Sequence, residues 1–284
     1  MRTILLTIAY DGTDYYGWQI QPDLPTVQGE IEKALHRVTG KEIHINGTGR
    51  TDRGVHAYGQ CATFRIGDGI PTDRIAYALN NSLPGGIRIV SAEEKPEGFH
   101  ARFDAKGKTY RYRLLLTDRE RKDAAALTAG GVQQSGRQVL FLRNYVYQVN
   151  RPLDLAAMRK AAAAMEGTHD FACFQAAGGE ERETTVRTVY RVELTERCLE
   201  EGFFPEEEGA HVLDIDVTGD GFLYNMVRIM AGTLVDVGSG RIDAADVPAV
   251  IESADREKAG HTAPPQGLYL MRVYFEEDFG HREE

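Results

Sequence analysis

The N-terminal third of the chain alternates between strand-like and helix-like patterns, and this order limits the fold more than any other feature. Apolar and β-branched residues predict four strands, at Thr3–Tyr10, Ile43–Ile45, Gln60–Ile66 and Ile87–Ser91. Two helices are predicted with threonine N-caps, at Thr26–Thr39 and Thr72–Leu83. The resulting order, β-α-β-β-α-β, is that of a ferredoxin-like unit.

The rest of the chain mixes strands and helices in a similar order, although no clear sequence repeat relates the two parts. We therefore predict an α+β fold of two ferredoxin-like halves, residues 1–104 and 105–284, whose antiparallel sheets form a central sheet with the active-site cleft between the halves. Further strands are predicted at Lys108–Leu116, Thr185–Leu194, Val212–Val217 and Leu268–Phe275. Further helices are predicted at Leu153–Met165, Phe222–Val237 and Ala244–Ala254. The stretch 117–145 has no clear assignment, and its glycine-rich centre at 129–136 is predicted to be a mobile insertion.

Size and composition agree with a soluble globular protein. The 284 residues are 42% hydrophobic and 27% charged. No stretch reaches the ~20 apolar residues that a membrane span needs, and the N-terminus predicts a strand and not a signal peptide. The three cysteines form no C-x-x-C pair, so we expect neither a disulfide framework nor a zinc site, and a reducing cytoplasm as the location.

The charge is unevenly distributed along the chain. A net charge of −10 argues mildly against a nucleic-acid partner, because phosphates are bound mainly by lysine and arginine. However, residues 50–113 hold 11 Lys and Arg against 7 Asp and Glu, whereas residues 178–208 hold 4 Arg against 10 Glu. A basic face on an acidic protein is therefore compatible with this sequence.

The run Asn46–Ala57 places one carboxylate, Asp52, between Arg50 and Arg53 in a segment with three glycines. Cations on both sides are expected to lower the pKa of Asp52 and keep it ionised. An ionised, positioned carboxylate can act as a general base or as a covalent nucleophile. The alternative is a solvated turn with a local ion pair, since structural ion pairs also perturb pKa values.

The strand that begins at Lys108 carries a second candidate feature. Period-2 alternation puts Tyr110 and Tyr112 on one face and Arg111 and Arg113 on the other. Aromatic rings flanked by cations suit stacking on a base and binding of phosphate. The alternative is a half-buried strand whose tyrosines pack in the core.

Two later segments could complete a site. Arg228 lies among apolar residues of a predicted helix, where a cation needs a partner. That partner is either structural or Asp52. The stiff turn Ala263–Leu268 contains two prolines and a glycine, and either forms a pocket wall or only ends a helix. His56 could orient the Asp52 region, although an ordinary hydrogen-bonded histidine is the alternative.

Other kinds of chemistry find no support in the sequence. No histidine pair has metal-ligand spacing. Phosphate-binding glycine motifs and the G-x-S-x-G motif of serine hydrolases are both absent from the sequence.

Taken together, the motifs resemble those of the bacterial tRNA pseudouridine synthases of the TruA family. The resemblance covers nearly the whole chain and rests on six motifs in the right order. These are Gly49–Ala57, Phe99–Phe103, Lys108–Tyr112, His169–Phe171, Gly221–Arg228 and Ala263–Leu268.

The resemblance implies isomerisation of uridine to pseudouridine at positions 38, 39 and 40 in the anticodon stem-loop of tRNA. It implies that Asp52 is the catalytic aspartate, that Tyr110 stacks on the target base and that Arg228 pairs with the aspartate. It further implies a homodimer that binds tRNA across both subunits and needs no metal or cofactor. The residues expected to contact the substrate are Arg50, which enters the stem as the target flips out, Arg53, His56, Tyr112 and Leu268.

This reaction explains why one carboxylate can suffice. The C1′–N1 bond breaks, the uracil turns and C5 rejoins C1′, so the departing base is also the incoming nucleophile. Asp52 could add to the base, add to C1′ or remove the C2′ proton. Two other functions remain open: a non-catalytic RNA-binding module, and a retaining nucleosidase that releases uracil and would need a second acid.

Overall fold

A computed structural model describes residues 1–67, 69–116, 140–179, 183–198 and 211–276. The fold is mixed α/β, and most strand pairs are antiparallel. The strands are β1 (Arg2–Tyr10), β2 (Asn46–Gly47), β3 (His56–Ile66), β4 (Ile87–Lys95), β5 (Gly107–Leu116), β6 (Tyr147–Val149), β7 (Gly167–Asp170), β8 (Val186–Cys198), β9 (His211–Gly219) and β10 (Leu268–Tyr274). The α-helices are α1 (Val27–Thr39), α2 (Thr72–Asn80), α3 (Leu155–Ala164), α4 (Met226–Gly238) and α5 (Val247–Glu252).

The chain divides into two compact units. The first unit comprises Met1–Tyr110 and the chain from Tyr269 onward, and the second comprises Arg111–Leu268. The boundary between these units falls within β5, and β10 belongs to the first unit, where it pairs in parallel with β3. The division into halves of residues 1–104 and 105–284 stays a prediction.

In the first unit, the predicted order β-α-β-β-α-β is found from β1 to β4. β1 pairs antiparallel with both β3 and β4, and β2 pairs antiparallel with β3. The helix α1 begins as predicted, because the Thr26 side chain accepts a hydrogen bond from the Gly29 amide. Gly40, with a φ of 69°, ends it in the left-handed conformation.

Several boundaries in the first unit differ from the prediction. No strand forms at Ile43–Ile45, and β2 follows instead at Asn46–Gly47; α2 ends at Asn80 and not at Leu83, and β4 extends to Lys95. The Thr72 N-cap is wrong: Pro71 holds that position without a side-chain cap, and Thr72 Oγ1 instead accepts a hydrogen bond from Arg2 Nη1 at 2.9 Å. β3 begins at His56 and not at Gln60, which places His56 on a strand. The shift matters for the site, because the loop before β3 carries Asp52.

In the second unit, β7, β8 and β9 pair in that order and antiparallel, and β6 pairs in parallel with the end of β5. β6 and β7 are too short to give a clear sequence pattern and are not predicted. The predicted helix Phe222–Val237 begins later, at Met226, because Asn225 has a φ of 61° and interrupts it. Nearly all residues of α4 are buried, as its apolar sequence predicts.

The predicted mobile insertion at 129–136 lies outside the described residues, as does most of the stretch 117–145. In the part of the chain that the structure describes, no helix has the length and apolar character to cross a membrane.

Candidate active site

Asp52 lies in a loop between β2 and β3, Thr48–Val55, which we call the Asp52 loop. Its first residue is anchored twice, since the Thr48 amide and hydroxyl each donate to the Cys61 carbonyl at 2.9 Å. Lys108 Nζ also donates to the Thr48 carbonyl at 3.2 Å, and Gln60 Nε2 donates to the Gly49 carbonyl at 3.0 Å. The loop therefore leaves β2 in a fixed direction.

The backbone on both sides of Asp52 is also fixed. Thr51 is buried, its hydroxyl lies 2.8 Å from the Tyr10 hydroxyl, and its carbonyl accepts from the Trp18 amide at 3.0 Å. After Asp52, the Val55 amide donates to the Asp52 carbonyl at 3.1 Å, and Gly54 supplies the positive φ of 77° that this turn uses. A partly exposed carboxylate thus projects from a rigid loop.

Two glycines after β1 allow this loop to pack closely. A Cβ at Gly12 would lie 2.0 Å from the Val55 carbonyl oxygen, closer than any real contact. A Cβ at Gly17 would lie 2.6 Å from the Thr51 carbonyl oxygen, and Gly17 also has a φ of 86°. The position of Asp52 therefore depends on residues far from its own motif.

His56 supports the Asp52 loop from inside the unit. Only 2% exposed, it has Nδ1 at 3.1 Å from the Gly12 amide and at 3.2 Å from Asp11 Oδ1. Its ring stacks on Tyr269 with a centroid distance of 4.7 Å. This burial gives His56 a structural position and argues against the predicted contact with substrate.

The two arginines of the motif lie at the surface. Arg50 Nε donates to Gln19 Oε1 at 3.2 Å, and the Arg53 guanidinium lies 4.2 Å from the centre of the Tyr16 ring. Both side chains are exposed, as a substrate contact requires. The surface around Asp52 is therefore cationic.

Tyr110 belongs to the same unit as Asp52 and is 9% exposed. Burial raises the pKa of its phenol well above the ordinary value, and the nearby ionisable groups of Tyr10 and Asp52 raise it further. The phenol is therefore neutral at physiological pH. Asp52 therefore contributes to the electrostatic environment of Tyr110 within the first unit.

Tyr112, two residues further along β5, is in a different environment. It is fully buried in the second unit, and its hydroxyl donates to the Pro264 carbonyl at 2.6 Å. A Cβ at Gly267 would lie 2.8 Å from its ring, so the stiff turn packs directly on it. Tyr112 is thus a core residue, and its predicted contact with the substrate stays a prediction.

Arg228, near the start of α4, is fixed by its own unit. Its Nε donates to the Ala263 carbonyl at 2.8 Å and its Nη1 donates to Asn225 Oδ1 at 2.7 Å. Leu268, at the end of the same turn, is buried at 7% exposure. The predicted pairing of Arg228 with Asp52 would join the two units and stays a prediction.

A second group of arginines and carboxylates in the second unit was not predicted. The Arg111 guanidinium binds Asp216 through two contacts of 2.7 Å, and Arg113 binds Asp214 at 2.7 and 3.1 Å. Arg197 also binds Asp214. The signal was present, because two arginines alternate on β5 and two aspartates alternate on β9.

Asp214 is 1% exposed. Burial alone would raise the pKa of its carboxyl, but the hydrogen bond and charge of Arg113, with the charges of Arg111 and Arg197, outweigh burial and hold this pKa below its ordinary value. We call this group the Asp214 cluster: Arg111, Arg113, Arg197, Asp214 and Asp216.

Within the described ranges, no group of three or more His, Cys, Asp or Glu side chains is arranged to hold a metal ion.

Comparison with known proteins identifies the family of this chain. A family model described as tRNA pseudouridine synthase matches residues 6–104 and 161–276. The chain is 45% identical over 275 residues to the tRNA pseudouridine synthase A of Ruminiclostridium cellulolyticum, covering 97% of this chain and 100% of that protein. It is 46% identical to the protein of the same name from Caldicellulosiruptor bescii, with the same coverage. The chain therefore belongs to the tRNA pseudouridine synthase family, and is an isomerase that acts on tRNA uridines.

Proposed function

We propose that this protein converts uridine to pseudouridine at positions 38, 39 and 40 in the anticodon stem-loop of tRNA, with Asp52 as the catalytic carboxylate. The observation that carries the proposal is the Asp52 loop. It holds a partly exposed carboxylate by backbone contacts on both sides, between two exposed arginines and in the same unit as the buried Tyr110. A positioned carboxylate with these neighbours fits catalysis better than a solvated turn does.

The target uridine must leave the stem before the reaction can occur. Flipping costs a few kcal/mol, and stacking of the base on an aromatic ring returns ~1–3 kcal/mol. We assign this stacking to Tyr110 and not to Tyr112, because Tyr112 is fully buried. Arg50 is assigned to fill the space that the base vacates, since its side chain is exposed on the Asp52 loop.

The chemical step is an isomerisation in which every atom is retained. The C1′–N1 bond breaks, a C1′–C5 bond forms, the C5 proton is lost and N1 gains a proton. Asp52 either adds to the base, adds to C1′ or removes the C2′ proton. In each route a negative charge at Asp52 is required at the start, which explains why exposed cations adjoin it.

The remaining parts of the proposal concern assembly and the second unit. We further propose that Arg228 pairs with Asp52. The enzyme is a cytoplasmic homodimer and needs no cofactor. A ferredoxin-like fold for both halves belongs to the same proposal, supported in the first unit by the order β4-β1-β3 with β2 paired to β3. The homologues' name supports tRNA as the substrate.

An assay on unmodified tRNA tests the proposal directly. The wild-type protein should give pseudouridine at positions 38–40, and Asp52→Asn should give none while binding tRNA with similar affinity. The matched control is Asp14→Asn, which removes an exposed carboxylate of the same unit and should leave turnover unchanged.

The same digest separates the other functions. Unchanged uridine with the wild-type protein would indicate a binding module, and free uracil would indicate a nucleosidase. Substantial pseudouridine formation by Asp52→Asn would remove Asp52 from the mechanism.

A further inference from the structure

A chain of hydrogen bonds in the second unit runs from Tyr147 through His261 to Asp236. The Tyr147 hydroxyl lies 3.2 Å from His261 Nε2, and His261 Nδ1 lies 2.9 Å from Asp236 Oδ2. The backbone amide of His261 donates to the same carboxylate oxygen at 3.1 Å. Asp236 is only 6% exposed, so these contacts are strong and directional.

These contacts hold the segment 260–264 against α4. A Cβ at Gly232 would lie 1.8 Å from the His261 carbonyl oxygen, so helix and segment touch backbone to backbone. The Gly260 amide donates to Thr233 Oγ1 at 2.9 Å, one residue further along the helix. The segment therefore has little freedom to shift relative to α4.

The same segment fixes Arg228. Its guanidinium Nε donates to the Ala263 carbonyl at 2.8 Å, and the Ala263 amide donates to the Arg228 carbonyl at 3.1 Å. Ala263 is two residues from His261. A displacement of His261 would thus move the carbonyl oxygen that orients the guanidinium.

The charge of the Asp236 carboxyl suits its role of holding His261 in place. Burial alone would raise the pKa of its carboxyl, but hydrogen bonds from His261 and the charges of His261 and Arg241 outweigh burial and lower this pKa. Arg241 and Arg151 also face the carboxylate, at 3.3 and 3.8 Å from Oδ1. The Asp236 carboxylate thus orients the His261 ring through Nδ1, and Nε2 then faces the Tyr147 hydroxyl.

We propose that Asp236 and His261 are positioning residues that set the Arg228 guanidinium in its active orientation through the segment 260–264. This inference rests on the proposed function, in which Arg228 acts with Asp52. Asp236 and His261 would support Arg228, which acts directly. In metal sites, mutation of such supporting residues typically lowers metal affinity or activity by about 10–100-fold.

The test is a double-mutant cycle measured on unmodified tRNA with enzyme in excess, so that slow variants remain measurable. His261→Ala should lower the single-turnover rate about 10-fold while the Kd for tRNA changes less than about 2-fold. Arg228→Lys cannot reproduce the Nε contact with Ala263, so His261→Ala should cost nothing further in that background. His261→Asn keeps a donor near the position of Nδ1 and should recover most of the rate.

Val250→Ala is the matched control, because it removes buried methyl groups from α5 of the same unit. Val250→Ala should change the single-turnover rate by the same factor in the wild-type protein and in Arg228→Lys. Tyr147→Phe, which removes only a hydroxyl, should give a smaller loss of the same non-additive kind.

An equal loss from His261→Ala in both backgrounds would overturn the inference, as would full activity of Arg228→Lys. The inference would also be overturned if His261→Asn folds but is as slow as His261→Ala. A failure of the proposed function looks different, because then Asp52→Asn would remain active whatever the His261 variants do.

Discussion

Asp52 and Asp214 are both carboxylates beside arginines, yet the structure gives them opposite surroundings. Asp214 is almost completely buried, and three guanidinium groups are directed at it and at Asp216. Asp52 is partly exposed, and its neighbours Arg50 and Arg53 lie at the surface against Gln19 and Tyr16. Burial, and not residue type, separates a structural ion pair from a candidate catalytic group.

The comparison also shows two ways of fixing a carboxylate. The side chain of Asp214 is held by its own hydrogen bonds, which use the charge for stability. The backbone of Asp52 is held by Thr51, Val55 and the glycines that pack against the loop. The second arrangement fixes the position of the carboxylate through the main chain.

The largest contrast should come from the paired variants Asp52→Asn and Asp214→Asn. Asp52→Asn should reduce pseudouridine formation below detection and change the free energy of unfolding by less than about 0.5 kcal/mol. Asp214→Asn should cost about 1–3 kcal/mol of stability, because it removes the charge of a buried carboxylate that binds three partly exposed arginines. Urea unfolding and the tRNA assay on both variants measure this. A destabilisation of Asp52→Asn as large as that of Asp214→Asn would make Asp52 structural.

Acid should remove the contribution of Asp214 selectively. Its pKa is lower in the folded protein than in the unfolded chain, so its stabilisation is fully present above the unfolded value of ~3.9 and is lost as pH falls through the folded pKa. The difference in unfolding free energy between wild type and Asp214→Asn should therefore shrink below pH ~4. Urea titrations from pH 7 to 3 measure it, and a constant difference would contradict the assigned pKa direction.

The backbone support of Asp52 should be sensitive to one methyl group. Gly12→Ala should destabilise the protein by about 1–3 kcal/mol, because its Cβ would overlap the Val55 carbonyl, and should slow turnover as the loop shifts. Gly85→Ala is the control, since nothing lies within 4 Å of the Cβ it would add. Equal stability and turnover of the two variants would show that the loop does not depend on Gly12.

The smallest effect is expected at Arg53. Its contact with Tyr16 is exposed, so Arg53→Met should cost only about 0.5–1 kcal/mol of stability. If Arg53 also contacts tRNA, its loss should weaken binding at low salt more than at high salt. Arg53→Lys keeps the charge and serves as the control in both measurements. A stability loss comparable to that of Asp214→Asn would place Arg53 in a structural network.

Local patterns predicted much of this molecule from sequence. The alternation on β5 correctly separates the tyrosine face from the arginine face, and Thr26 correctly begins α1. The distinction between Tyr110 and Tyr112 was not accessible, because it depends on a turn whose Pro264 is distant in the chain. The close approach of Gly12 to Val55 is equally a product of tertiary packing, which no local pattern contains.

For the site residues, too, the sequence predicts local features but not those set by tertiary contacts. The composition of the Asp52 motif indicates chemistry, but the sequence does not show that His56 is buried beneath Tyr269. The late start of α4 follows from one left-handed residue, Asn225, whose conformation is set by its surroundings. Long-range contacts therefore decide which members of a motif can reach a substrate.

The return of β10 to the first unit has a consequence for biosynthesis. The ribosome synthesises the chain from its N-terminus to its C-terminus. β10 therefore emerges only after all of Arg111–Leu268 has been made. Until then β3 lacks its parallel neighbour, and His56 lacks the Tyr269 ring that covers it. The unit that begins first is thus completed last, and a chain that stops early leaves the Asp52 loop without this support.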